Sequence, residues 1–284
     1  MEKKIIGLII PPETHLFSQW AHNYYFTEIL RGAIAAASLF EWNIMIHHKG
    51  FESMMEYVEF CREEGIKGIV CMAPALRKEV QDEIKKIDIP VIVINGRYPG
   101  ISFIDTDNRR GAQRAVKYLM DMGHREIAMI NGNLEIRNAK DRFEGYKDAM
   151  SEVGLEINED FIRYGNFSED SGKSHMEDIL QLNKLPTAIL CANDLIAIGV
   201  MKALEKNRKV KIPRDISLIG FDDLTITSYL KPPLTTVRQP LFHLGKEAMV
   251  TLIGIIRGET DPNQSIEIET RLIKRDSVAV PREK

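Results

Sequence analysis

Short apolar runs alternate along most of the chain with stretches whose apolar residues recur at helical spacing. The runs Ile5–Ile10, Asn43–His47, Gly68–Met72, Val91–Ile94 and Ile101–Ile104 are short and rich in β-branched residues, and read as strands. Between them, Tyr25–Phe40 sets Phe26, Ile29, Leu30, Ala33, Ile34 and Ala37 along one helical side, and Met54–Glu64 and Lys78–Lys86 read as further helices. At Asp105-Thr106-Asp107-Asn108 the pattern restarts. Asp107 or Asn108 is placed to cap a helix over Arg110–Met122, and Gly123 to end it. Strands at Glu126–Ile130, Phe161–Tyr164, Ala188–Cys191 and Ile216–Phe221 then alternate with helices at Asp141–Val153, Asp170–Leu182 and Asp194–Lys206. After a polar connection, Leu224–Lys231, Pro232-Pro233 precede a short strand at Leu234–Val237; a helix over Phe242–Arg257 and a strand-like alternation over Ile266–Lys274 follow. Such alternation predicts βαβ units, hence an α/β fold of two similar doubly wound parallel-sheet halves. Periodicity leaves open whether the last helix and strand extend the second half or return to the first.

Composition narrows the function. The 284 residues suit one large domain or two of ordinary size. Lys and Arg total 38 against 41 Asp and Glu, a net charge of −3, which is not the basic footprint of a nucleic-acid surface. Cys61, Cys71 and Cys191 have no C-x-x-C spacing and read as small buried hydrophobes in a reducing compartment. The apolar piece after Lys3-Lys4 is too short for a signal-peptide core, and no apolar run approaches membrane-spanning length. The reading is a soluble, cytoplasmic protein. No Walker loop, dinucleotide fingerprint or nucleophile elbow occurs, and none of the seven histidines stands at metal-ligand spacing. The expectation is therefore no enzyme, no metal and no cofactor.

Polar and aromatic residues at the expected carboxyl ends of strands remain, and in open parallel sheets ligands bind there. Asp222 follows the strand ending at Phe221, Asn193 follows the one ending at Cys191, and Phe167 follows Tyr164. Arg142 opens a helix after the connection Asn131–Lys140. The first connection, Pro11–Tyr24, is longer than the roughly 2–6 residues usual in βα loops and delivers Tyr25 and Phe26 to a helix start. Singly, each has a plainer reading: Asn193 as a helix cap, Asp222 as a turn residue, Phe26 and Phe167 as core. Together they supply an acceptor, a bidentate donor, an amide and three rings, which is how a polyol or planar ring is held.

The segments DNRRGAQRAVKYLMDMGHREIAMING (107–132), DRFEGYKDAM (141–150), LPTAILCANDLIAIGVMKALE (185–205), VKIPRDISLIGFDD (210–223), PPLTTVRQP (232–240) and TRLIKRDSVA (270–279) resemble the effector-binding core domain of the LacI/GalR transcription regulators. The resemblance implies a type I periplasmic-binding-protein-like fold of two lobes joined by three crossings. The N-terminal, dimerising lobe would be 1–107 with 240–269, the C-terminal lobe 108–239 with 270–284, and the ligand cleft would lie between them. It implies ligand-binding roles for Arg142 in R-x-x-G-Y, Asn193 in A-N-D and Asp222 in G-F-D-D, and, by looser local alignment, for Tyr25, Phe26, Asp107 and Phe167. It implies a sugar-like effector, a homodimer, no membrane partner, and operator DNA bound through a helix-turn-helix headpiece. Nothing before Ile5 reads as such a headpiece, so either it has been removed or the protein lacks it; removal is the favoured expectation, because the regulator-type C-terminus is intact, and DNA binding then belongs to the parent protein. The rival expectation is a stand-alone sugar-binding protein of the transport type.

Overall fold

The computed structural model describes residues 4–9, 24–47, 54–72, 88–207 and 209–282. The chain divides into two compact units: Met1–Thr106, Glu135–Arg137 and Pro240–Ile268 form one, and Asp107–Leu134, Asn138–Gln239 and Glu269–Lys284 the other. Each unit holds one six-stranded sheet. In chain order the strands are β1 (Ile5–Ile9), β2 (Asn43–His47), β3 (Ile66–Met72), β4 (Val91–Ile94), β5 (Ser102–Thr106), β6 (Ile127–Asn131), β7 (Ile162–Tyr164), β8 (Ala188–Cys191), β9 (Ser217–Asp222), β10 (Thr235–Arg238), β11 (Ser265–Ile268) and β12 (Arg271–Ile273). The first sheet runs β11-β5-β4-β3-β1-β2 and the second β12-β10-β9-β8-β6-β7. All described pairings are parallel except β10 with β12, where Val237 faces Leu272.

The second sheet shows why the runs had to be strands. Ala128 and Ile130, Ile189 and Leu218 point to one face, where Met176, Ile179, Ile196 and Val200 of the helices Glu169–Ile179 and Asp194–Asn207 cover them. Ile127, Met129, Leu190 and Ile219 point to the other, under Ala112, Ala115, Val116, Leu119, Tyr146, Ala149 and Met150 of Asn108–Asp121 and Arg137–Glu152. A strand buried on both faces reads as an unbroken apolar run, while its helices read as stripes. In the first unit Gly32 and Gly245 let the helices Tyr24–Leu39 and Leu241–Ile256 approach until a Cβ on either would stand 1.9 Å from a carbonyl oxygen of the other. The helix Leu241–Ile256 also packs on β3, β4 and β5, so it returns to the first unit.

Several expected boundaries shift. Ile266–Lys274 is not one strand: Ser265–Ile268 pairs in the first sheet and Arg271–Ile273 in the second. Between them the Thr270 amide leaves the ladder and donates to Asp107 Oδ1 at 2.7 Å. The helix expected from Asp141 starts at Arg137, because Asn138 and Ala139 extend its buried stripe. Arg142 therefore lies in the second turn and not at the opening. Phe161 is outside β7 and closes a 3-10 turn, Glu159–Phe161. The connection Leu224–Lys231 holds a 3-10 helix, Thr225–Tyr229, with Thr227 Oγ1 donating to Leu224 O at 2.6 Å. Asp107 precedes the helix Asn108–Asp121 without a capping hydrogen bond from its side chain, whereas Gly123 ends it at φ +98° as expected. The long connection 11–23 and the helix expected at 78–86 lie outside the described residues.

Candidate functional site

Residues at the carboxyl edge of the second sheet join into one network. The Arg142 guanidinium, 2 % exposed, is seated 3.8 Å from the Phe221 ring centroid. Its Nε donates to Asn108 Oδ1 at 2.9 Å, one Nη donates to the Ala192 carbonyl, and the other stands 4.0 Å from Asp222 Oδ1. Ala192 is followed by Asn193, whose Nδ2 donates to the Phe167 carbonyl at 3.0 Å while its Oδ1 accepts from the Ile196 amide at 2.9 Å. One side chain thus both caps the helix and ties it to the segment carrying Phe167. The Phe167 ring lies over Gly132, where a Cβ would meet it at 2.3 Å, so only glycine admits the ring there.

Asp222 closes the network. It ends β9 itself, one residue beyond the expected strand, and is buried with Oδ1 accepting from Gln239 Nε2 at 2.6 Å. Burial pushes its carboxyl up to about 6, with Arg142 and the Gln239 hydrogen bond pulling the other way. Asp222 and Asp223 sit at φ +121° and +61°, and Phe167 at +65°. Positive φ in residues other than glycine costs of order 1–3 kcal/mol each and concentrates at functional sites. Asp223 points into a different set of partners: Oδ2 accepts from Arg238 Nε at 2.6 Å and Oδ1 from Arg275 Nη2 at 2.5 Å.

So Arg142, Phe167, Asn193 and Asp222 come together. Asp107 is in the same unit, but its Oδ1 accepts from Thr270 N and its Oδ2 from Arg114 Nη2 at 3.0 Å. In the first unit the Tyr25 hydroxyl accepts from Asn95 Nδ2, and Tyr25 meets Phe26 edge-on at 5.2 Å between centroids. Phe26 is buried. Among the described residues no group of three or more His, Cys, Asp or Glu could hold a metal ion, and the three cysteines are buried thiols. No helix among them is long and apolar enough to cross a membrane.

Residues 116–278 match the periplasmic binding protein-like domain family. The chain is 32 % identical over 281 residues to the HTH-type transcriptional repressor PurR of Vibrio cholerae, covering 97 % of this chain and 81 % of that protein. The chain belongs to the LacI/GalR family. It is an effector-binding core domain of that family, and its relatives are transcriptional repressors. Among solved structures, a putative LacI regulator from Bacillus cereus subsp. cytotoxis superposes with a TM-score of 0.88 at 26 % identity, covering 97 % of this chain and 98 % of that one. A LacI family regulator from Enterococcus faecium, solved with bound ribose, gives 0.83 at 26 % identity, covering 98 % and 100 %.

In each unit of this LacI/GalR domain, strand ends also carry amides that pattern reading passed over. Asn95 follows β4 at φ +58°, and Asn131 ends β6. Both are buried, and so is Asn138; the Oδ1 of each has no hydrogen-bond partner among the described residues. A buried amide oxygen left unpaired is costly, which makes these positions candidates for meeting a ligand. Asn108 and Gln239 hold Arg142 and Asp222. The signal for Asn95 and Asn131 was the one that found Asn193: a polar amide directly after an apolar run.

Proposed function

We propose that this domain binds a small sugar-type effector at the carboxyl edge of the second sheet and thereby regulates operator binding by the repressor it belongs to. The observation that carries the reading is the pairing of Arg142 and Asp222 beside Asn193 and the Phe167 ring. A carboxylate acceptor, a fixed guanidinium donor, an amide and a ring are the groups that orient a polyol. The bound ribose of the Enterococcus faecium regulator supports the ligand class. Arg142, Phe167, Asn193 and Asp222 form the core of the proposed ligand set; Tyr25, Phe26 and Asp107 join it on the resemblance. Effector would act by binding one arrangement of the domain more tightly than another, since a ligand shifts an equilibrium only by its differential affinity. The test is a thermal-shift and calorimetric screen of mono- and disaccharides, starting with ribose, against purines and sugar phosphates. A ligand at a hundred times its dissociation constant adds about 2.7 kcal/mol of stability. Stabilisation by a saccharide that is lost in Asp222→Asn is expected; stabilisation by a purine alone would overturn the sugar assignment.

A further inference from the structure

A second acid stands behind Asp222. Asp194 opens the helix Asp194–Asn207 and is 0 % exposed. Its Oδ2 faces the Leu224 amide at 2.8 Å and its Oδ1 faces Thr236 Oγ1 at 2.6 Å. It presses against β9 so closely that a Cβ on Gly220 would stand 2.2 Å from Oδ1. Asp194 has no ion pair among the described residues. The charged groups around the two acids are few: Arg142 on the helix Arg137–Glu152, directed at Asp222, and Asp223, whose oxygens are taken by Arg238 and Arg275. The Cys191 thiol at the end of β8 is pushed up by burial. Of the two buried carboxyls only Asp222 faces a guanidinium, and like charges in such a site do not both ionise.

We propose that Asp194 is a positioning residue of the effector site that holds the proton of this acid pair, leaving Asp222 as the ionised acceptor. Asp194 anchors the Leu224 amide and the β10 hydroxyl of Thr236, so the left-handed Asp222-Asp223 step is pinned from behind. As a neutral acid its one hydroxyl hydrogen reaches Thr236 Oγ1, while its other oxygen still accepts from Leu224. Burial first, then the charge of Asp222, drive Asp194 well above the ordinary carboxylate range. The pair titrates as a unit, and Asp222 gives up its proton first because Arg142 and Gln239 favour its charge.

The inference rests on the proposed effector site only for the role of Asp222, so its test begins on the protein alone. Infrared difference spectra near neutral pH should show the carbonyl stretch of a protonated carboxylic acid. Asp194→Asn should lose that band and Asp222→Asn should keep it. The parent spectrum decides the matter even if Asp194→Asn does not fold: absence of any protonated-acid band overturns the proposal. So does a band that disappears in Asp222→Asn. With ribose as probe, the parent's affinity should fall as pH drops through about 6, and Asp194→Asn should keep that midpoint, since the amide copies the neutral acid. A midpoint moved down by about one pH unit or more, a tenfold higher proton concentration, would mean that Asp194 was charged, which overturns the assignment. Ribose failing to bind the parent would count against the sugar reading and leave the infrared result to decide the proton's location.

Discussion

Asp222 and Asp223 are adjacent, chemically identical and bent into the same left-handed region, yet their surroundings divide their roles. Asp222 has a buried carboxyl facing Arg142 and Gln239, and Asp223 clamps Arg238 and Arg275. Asp222→Asn should weaken effector binding by about 1.5–3 kcal/mol, the range for a hydrogen bond to a charged group. The same change should raise stability near neutral pH. A carboxyl shifted up to about 6 contributes stability that is present below its ordinary 3.8 and lost as pH rises through the folded value, so the amide removes a cost. Asp223→Asn should do the reverse: little change in affinity and a loss of about 1–3 kcal/mol in denaturant unfolding, as Arg275 loses a charge-assisted bond. Equal affinities for parent and both variants would remove Asp222 from the site. His124 gives a second residue-scale forecast. Its Nδ1 lies 2.9 Å from Thr187 Oγ1 and its Nε2 2.9 Å from the Ala279 carbonyl, and burial holds the imidazole below its ordinary 6.5. The unfolded chain therefore takes up the proton first, so this stability is present above 6.5 and lost as pH falls toward the folded value. Unfolding midpoints at about pH 7.5 and about pH 5.5 should diverge more in the parent than in His124→Gln.

Among the described elements of the first unit, the most extensive helix contact is the crossing of Tyr24–Leu39 with Leu241–Ile256. Ile29 is fully buried at that contact, and main chain meets main chain at Gly32 and Gly245. Gly245→Ala should destabilise by at least about 1–3 kcal/mol, because a Cβ 1.9 Å from the Ile29 carbonyl cannot be absorbed by a side-chain rotation. Gly258, where nothing lies within reach of a Cβ, is the control for space, although its φ of +72° adds backbone strain of its own. Denaturant unfolding should therefore show the two alanine variants differing, with Gly245→Ala the weaker. The element scale also explains Arg142. Its helix starts a turn before the expected position, so the guanidinium comes off the second turn, where Phe221 and Asn108 receive it.

For the whole molecule we propose a homodimer formed through the first unit, along the helices Glu28–Phe40 and Met54–Glu64. Ile34 and Leu39 are exposed on the helix Tyr24–Leu39, and Ile46 is exposed on β2. Sedimentation at micromolar concentration should give twice the monomer mass, and Leu39→Lys with Ile34→Lys should return it to the monomer. A monomeric parent would refute the interface. The segment 74–77, also expected near it, lies outside the described residues.

How far the chain could be read depended on the range of the interactions involved. Strand and helix identity, the doubly wound architecture and the polar residues at strand ends were legible, because periodicity and local capping are written within a few residues: Val91–Ile94 and Ala188–Cys191 were placed to the residue. Asn193 and Asp222 were legible for the same reason. Tertiary structure alone decided whatever depends on partners far along the chain. Ile266–Lys274 looks like one strand until Asp107, 163 positions before Thr270, takes the Thr270 amide and splits the run between two sheets. The different fates of Asp222 and Asp223 were invisible for the same reason, since Gln239 and Arg275 select between them. Asp194 shows the limit most clearly: locally it is an ordinary acid at a helix start, and only burial behind Gly220, with Asp222 beside it, makes it a candidate to keep its proton.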